Sequence, residues 1–443
     1  MSIPNIPNAY ENVSNACEKR LAELYPAGVP SEIQERYEQE LAMLKNSDSL
    51  DDFEIFRCLS EESKKCMAII YTRGTVSGSI LYYLLGNNSF DPLPAYYYCP
   101  KCGHYEEIHT RLFAIDLPVK TCPACGRTLT ASGFGLPIES VWGNDGSNNV
   151  SFECVTSSDF HPFAKKVLKR LYPENEIVPW CMFTLPSDGM EMFPNTNPVG
   201  ISQHGFAVIP TGYMLKDYPD LLTYQENGDP CLAGSGHELR NNRLKPIYLT
   251  NGEYAQNLLN LQKETGIYIS EISPNHLKEI TWGAMSQNGR IGTDISVLFQ
   301  EFQPQTFTQM VSLMAAYHNS YLWDDGSIYW NRENFKKIIS TPEFRKYPCY
   351  YREDFFDYLC EAGIKRSEAF EISEFIKFGR ATMPKKKEIW DSFQIPTELR
   401  TIAEHYRYLF PRAHCIEFAL QNARLAYYAS VDSRAYSKII YNK

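Results

Sequence analysis

The sequence predicts an α+β protein: a mixed strand-and-helix region, interrupted by a cysteine module, and then a long, mostly helical region. Three observations carry this. Short β-branched and aromatic runs bounded by turn residues recur before residue 252. Helical periodicity dominates after it, over 253–263, 296–317, 333–340, 366–380, 397–410 and 413–430. Two Cys-x-x-Cys pairs lie at 96–132. The chain has 443 residues, 44% apolar and 22% charged, enough to bury a large core in two or three lobes.

The first 28 residues read as an arm or a short helix. Pro30-Ser31 opens a clear helix, with Ser31 as a cap, Gln34 completing a capping box, and Ile33, Tyr37, Leu41 and Leu44 on one face. Residues 46–52 form a polar break. Ile69-Ile70-Tyr71 reads as a buried strand running into Arg73-Gly74-Thr75-Val76-Ser77-Gly78-Ser79, and a helix starts at Ile80-Leu81. Beyond the cysteine module, a Gly/Asn/Ser-rich stretch ends in a short strand over 150–155, and a helix follows over 161–172. Residues 184–203 read as a Pro/Asn/Gly-rich connection, and 206–209 as a strand stopped by Pro210.

Cys99-Pro100-Lys101-Cys102 and Cys122-Pro123-Ala124-Cys125 are separated by 19 residues, and each knuckle is followed by glycine, Gly103 or Gly126. Four thiolates close a tetrahedral Zn²⁺ shell, so the spacing predicts a structural zinc site with no open position for chemistry. The other nine of the 13 cysteines are scattered singly, which fits reduced thiols rather than a disulfide framework.

Net charge is −10, unevenly spread. Residues 1–60 carry 5 basic and 11 acidic side chains, whereas 361–443 carry 14 and 10. Any contact with nucleic acid is therefore expected to favour the C-terminal part; a solvated surface with chance asymmetry is the alternative. Met1-Ser2-Ile3-Pro4-Asn5 lacks the features of a leader, and no apolar stretch is long enough to cross a membrane. A cytoplasmic protein without membrane contact is expected.

Five landmarks in order resemble the polymerase core of PolC-type bacterial DNA polymerase III alpha subunits, over about residues 25–430. They are Thr72-Arg73-Gly74-Thr75-Val76-Ser77-Gly78-Ser79, Pro92-Leu93-Pro94 leading to Tyr98-Cys99-Pro100, Gly133-Phe134-Gly135-Leu136-Pro137-Ile138-Glu139, Gln203-His204-Gly205-Phe206-Ala207-Val208-Ile209-Pro210, and Tyr408-Leu409-Phe410-Pro411-Arg412-Ala413-His414. The resemblance implies a nucleotidyltransferase-type palm over 1–95 and 133–252, an inserted zinc ribbon over 96–132, and a helical fingers lobe over 253–443. It also implies phosphate or nucleotide contacts from Arg73, Gly74, Thr75, Ser79, Arg412 and His414.

The departures are chemical. The family's Asp-Ile-Asp run is similar to Ser151-Phe152-Glu153 here, and its third aspartate aligns with Tyr248. The family's tyrosine four residues beyond the histidine is Phe418. Little sequence is left for a thumb between 177 and 202. Phosphoryl transfer needs carboxylates to hold two divalent ions. The expectation is therefore a core that holds Zn²⁺, does not hold catalytic Mg²⁺, and associates with DNA, a dNTP or replication proteins. A polymerase of residual activity and a purely structural module are the alternatives.

Overall fold

The computed structural model describes residues 3–146, 148, 150–184, 200–272, 276–277, 280, 293–322, 326 and 332–441. Its centre is a seven-stranded mixed sheet, in the order β1-β5-β10-β7-β6-β9-β8. The strands are β1 (Ile70–Thr72), β5 (Cys154–Thr156), β6 (Ile177–Thr184), β7 (Gly200–Val208), β8 (Leu222–Tyr224), β9 (Pro230–Ala233) and β10 (Lys245–Asn251). Three further short strands, β2 (Tyr96–Tyr98), β3 (Tyr105–Glu107) and β4 (Thr130–Ser132), form the sheet of the cysteine module in the order β3-β2-β4.

Side-chain alternation gives the large sheet two different faces. Cys154, Phe206, Val208, Ile247 and Leu249 point into a core covered by the helices Ala9–Leu24, Ser31–Lys45, Leu50–Lys65 and His161–Leu171. On the other face Val178, Trp180, Ala207 and Leu232 form a small cluster with the helix Gly236–Asn241. The β1 edge, through Tyr71 and Val155, packs on the helices Glu253–Thr265, Phe307–His318 and Arg412–Val431.

The first 28 residues are more ordered than expected. Ala9, Val13, Cys17 and Leu21 recur every four residues and bury one stripe of a helix. The Ser31 helix forms, but its N-cap is Pro30 and no side chain caps it. Ser31 instead donates to Glu32 at 3.0 Å, and the expected capping box is absent. The single helix expected over 296–317 is two, Thr293–Phe302 and Phe307–His318. Gln303 breaks it at a φ of 45°, followed by Pro304, which has no N–H to donate. The helix expected over 397–410 stops at Ala403, and Tyr406–Tyr408 (β12) pairs with Ser320–Tyr321 (β11). Part of the connection expected over 184–203 is strand, β7 beginning at Gly200, and 185–199 lie outside the described residues.

The cysteine module docks on the helical lobe through several contacts, among them the Arg111–Glu361 ion pair (2.7 Å), the packing of Phe113 on Phe307, and one carboxylate. Asp116 accepts the backbone N–H groups of Phe307 (2.8 Å) and Thr308 (2.7 Å) and the Thr308 hydroxyl (2.6 Å), filling the orphan donors at that helix start. On its other side Tyr96 donates to Asp91 at 2.7 Å and meets the Tyr25 hydroxyl at 2.7 Å. The module therefore sits between the N-terminal helices and the C-terminal lobe.

Candidate functional site

The four cysteine sulfurs lie within 4.8 Å of one another, with Cys99–Cys125 and Cys102–Cys122 each 3.5 Å apart. Zn–S bonds of about 2.3 Å in a tetrahedron set sulfurs roughly 3.8 Å apart, so the cluster fits a metal ion of that kind. The knuckles fold as their sequence requires: Gly103 (φ 75°) and Gly126 (φ 71°) allow the reversal, and their N–H groups donate to the Cys99 and Cys122 carbonyls at 3.0 and 2.9 Å. Burial opposes ionising Cys99, yet the backbone N–H groups of Cys102 and Lys101 hold its thiol down to about 6. The remaining apolar content of the module is small: Ala95, Tyr97, Ala114, Leu117 and Leu129 accompany Cys99 and Cys122.

Two of the three positions singled out in the sequence, Glu153 and Tyr248, come together on the sheet, and Ser151 lies beside Glu153. β5 and β10 run parallel with Leu249 beside Cys154, so Tyr248 and Glu153 are neighbours one residue earlier, on the face opposite the helical core. Ser151 donates its hydroxyl to Glu153 Oε1 at 3.2 Å, and both are open to solvent. Tyr248 leaves the group sideways: its ring packs edge-on against Trp180, centroids 4.6 Å apart, and covers the backbone of Gly236. One carboxylate, one hydroxyl and one phenol ring thus occupy this corner.

The segment 73–79 lies directly on that corner. Arg73 N–H donates to the Glu153 carbonyl (2.8 Å), Val76 N–H to the Ser151 carbonyl (3.2 Å), and Ser151 N–H to the Thr75 hydroxyl (3.1 Å). Gly74 permits this approach, since a Cβ there would stand 2.0 Å from the Ser151 carbonyl oxygen. The helix start at Ile80 is already occupied from within the protein. Fully buried Glu40 accepts the Ser79 hydroxyl at 2.5 Å and the Ile80 N–H at 3.2 Å, and Arg36 pairs with it at 2.6 Å. Ser79 is therefore an internal cap, and the sequence-based expectation that it faces a phosphate is corrected.

Arg412 is corrected likewise. Its guanidinium is buried against Asp354 (3.0 Å), Asp357 (2.7 Å) and the Gly135 carbonyl (2.5 Å), and its own N–H donates to Glu353. Burial pushes the Asp354 carboxyl up while Arg412 pulls it down, and Arg352, ion-paired to Glu353 and Glu374 at 2.5 Å each, completes the network. Arg412 holds the lobe together at the start of its longest helix.

Arg73 and His414 do meet. His414 bonds to the Arg73 backbone and faces His318 (ring centroids 5.9 Å) and Phe410 (4.7 Å). Among the described residues no carboxylate lies within ion-pair distance of Arg73, and its Nε, the His318 Nε2 and the Arg424 Nε are buried without a hydrogen-bond partner. Burial lowers His414 to about 3, aided by His318 and Arg73, and burial with Arg73 lowers His318 to about 4. Phe418 stacks edge-on against His318 at 4.5 Å. An unpaired buried donor is expensive, and the orphan Arg73 Nε beside His318 and His414 marks a place where an acceptor belongs. His318 escaped sequence reasoning because it stands alone at the end of an apolar helix, with no motif around it.

A family model of the bacterial DNA polymerase III alpha NTPase domain matches residues 11–153, which takes in the 73–79 segment, all four clustered cysteines and Ser151 to Glu153. PolC-type DNA polymerase III of Thermotoga maritima is 22% identical over 477 residues, covering 96% of this chain and 34% of that protein. The Bacillus subtilis PolC-type enzyme is 23% identical over 481 residues, covering 96% of this chain and 32% of that protein. The chain resembles PolC-type DNA polymerase III along nearly its whole length. It spans about a third of the length of these relatives. Among the described residues no helix is long and apolar enough to cross a membrane.

Proposed function

We propose that this chain is a non-catalytic relative of the PolC polymerase core that retains a phosphate-recognition cleft and serves DNA replication as a nucleotide- or nucleic-acid-binding protein. In this reading the seven-stranded sheet is a palm, and the C-terminal helices are fingers. The observation that carries it is the make-up of the β5–β10 corner: Ser151, Glu153 and Tyr248 offer one carboxylate where two-metal phosphoryl transfer needs several. The cysteine centre supports the fold with a structural zinc ion and supplies no open position.

Arg73 supports the binding half of the reading. Among the described residues its guanidinium has no carboxylate partner, and it lies next to two imidazoles held neutral, so each ring presents a donor or an acceptor without a full charge. A phosphate oxygen would satisfy the orphan donor. Gly74 and Thr75 contribute by holding the segment on the sheet.

Primer extension with Mg²⁺ or Mn²⁺ tests the catalytic half. The expected result is no added nucleotide, with the Ser151→Asp/Tyr248→Asp double variant as the attempted restoration. Extension by the unaltered chain would show it to be a polymerase. Equilibrium binding of dNTPs tests the other half: Arg73→Ala is expected to abolish it, and a variant that binds as well as the parent would leave only the structural reading.

A further inference from the structure

Beside that cleft, and reached from it along Tyr408, which lies near Glu153 and Glu374, one surface of the helical lobe collects positive charge around exposed rings. Residues 377–387 contain five basic and no acidic side chains. Lys377 turns inward toward Glu374 (3.4 Å), and Lys387 pairs with Asp391 (2.7 Å). Arg380, Lys385 and Lys386 are exposed, and among the described residues none has a carboxylate within ion-pair distance. Glu388 is the next acid along the chain. Arg407 is brought to the same place by the backbone. Gly379 (φ 61°) lies so close to β12 that a Cβ there would stand 2.0 Å from the Arg407 carbonyl oxygen, and Leu409 N–H donates to the Lys377 carbonyl at 3.0 Å. Arg407 reaches the Thr382 hydroxyl at 3.4 Å and likewise has no ion-paired carboxylate among the described residues.

The rings form a path. Phe378 is 41% exposed, with the Arg380 guanidinium 5.0 Å from its centre. Inward from it, centroid spacings are 6.3 Å to Tyr408, 4.8 Å from Tyr408 to Phe410 and 4.7 Å from Phe410 to His414, which touches Arg73. Four like charges around an exposed phenylalanine repel one another and leave apolar surface wet. A ligand that relieves both must be polyanionic and must carry flat apolar faces at a spacing of a few ångströms. Single-stranded nucleic acid does so, whereas a duplex hides its base faces and an acidic peptide has none.

We propose that the surface formed by Phe378, Arg380, Lys385, Lys386, Arg407 and Tyr408 binds single-stranded nucleic acid, its phosphates on the four cations and its bases against the two rings. This surface does not depend on phosphate binding at Arg73. Fluorescence anisotropy with a labelled oligothymidylate of about 20 nucleotides, longer than the roughly 4–16 that one such site covers, tests it. The intact chain is expected to bind this probe more tightly than a blunt duplex. Neutralising four phosphates gives a log–log salt slope of about −3. Arg380→Glu/Lys385→Glu/Lys386→Glu is expected to weaken binding more than about tenfold. Phe378→Ala should weaken it about fivefold or more without changing the salt slope. Arg73→Ala should leave it within about twofold, since that residue contributes no part of the surface. All altered side chains but Arg73 are exposed, so an unchanged melting temperature verifies folding. The proposal is overturned by any of four results: no binding of the probe, preference for the duplex, an unaffected triple-charge variant, or displacement of the probe by a polyglutamate peptide at equal charge.

Discussion

The cysteine centre and the β5–β10 corner are built differently: in one, four sulfurs that could hold a metal ion lie together, and in the other Glu153 stands beside Ser151 on the sheet. In the cysteine module the ligands are a large part of the fold: two of its seven buried core residues are themselves sulfur ligands, Cys99 and Cys122. Without them the module's own core keeps only Ala95, Tyr97, Ala114, Leu117 and Leu129. At the β5–β10 corner the reverse holds. Cys154, Ile247 and Leu249 anchor the two strands from the opposite face, while Ser151 and Glu153 face solvent. Side chains there can change without cost to the sheet. In the first place the functional side chains carry part of the packing; in the second the packing comes from the opposite face of the sheet.

The largest effect expected from this contrast is at the four-cysteine cluster. Cys122→Ser, or a strong chelator, should release the metal and open 96–132 to trypsin, because metal binding is folding free energy in such modules, of order 10 kcal/mol. Zinc by elemental analysis and the cleavage map check it; a module that stays protected without metal would break the contrast. Next is Arg412→Ala, which leaves Asp354 and Asp357 in a buried site without their cation. Urea denaturation should show a loss of about 3–5 kcal/mol. Had Arg412 been a phosphate ligand alone, stability would hold and only binding would fall.

A pH effect of intermediate size belongs to the cleft. His414 and His318 have folded-state values of about 3 and 4, below the ordinary 6.5. The unfolded chain therefore binds more protons than the folded one between about pH 6.5 and 4, and stability from this pair falls as pH drops through that window. His414→Gln should flatten the fall of the melting temperature between pH 7 and 5. An unchanged pH profile would mean that the imidazole is not buried neutral. The smallest effect sharpens the comparison from the other side: Ser151→Ala and Glu153→Ala should each shift stability by no more than about 0.5 kcal/mol.

How much of this was legible in the sequence follows from the range of the interactions. Cys99 to Cys125 is a local pattern whose spacing alone places four sulfurs together. The helix start at Ile80 could also be read locally. Its occupant could not, because Glu40 reaches Ser79 from another helix, 39 residues away. Arg412 looked free for the same reason; Asp354 and Asp357 lie 58 and 55 residues before it. The sequence leaves residues 1–28 open between an arm and a short helix although Ala9, Val13, Cys17 and Leu21 keep a strict four-residue spacing, since alanine and cysteine are weak apolar signals beside the aromatics that fill the rest of the chain. The adjacency of Glu153 and Tyr248 depends on strand register between residues about a hundred apart, which only a folded sheet reveals.

What the β5–β10 corner can hold decides whether this chain is non-catalytic. Crystals soaked in manganese with a dNTP, measured at the manganese absorption edge, test this directly. The expected anomalous map has no manganese peak beside Glu153 while the triphosphate lies against Arg73. Two manganese peaks flanking Glu153 would contradict the account.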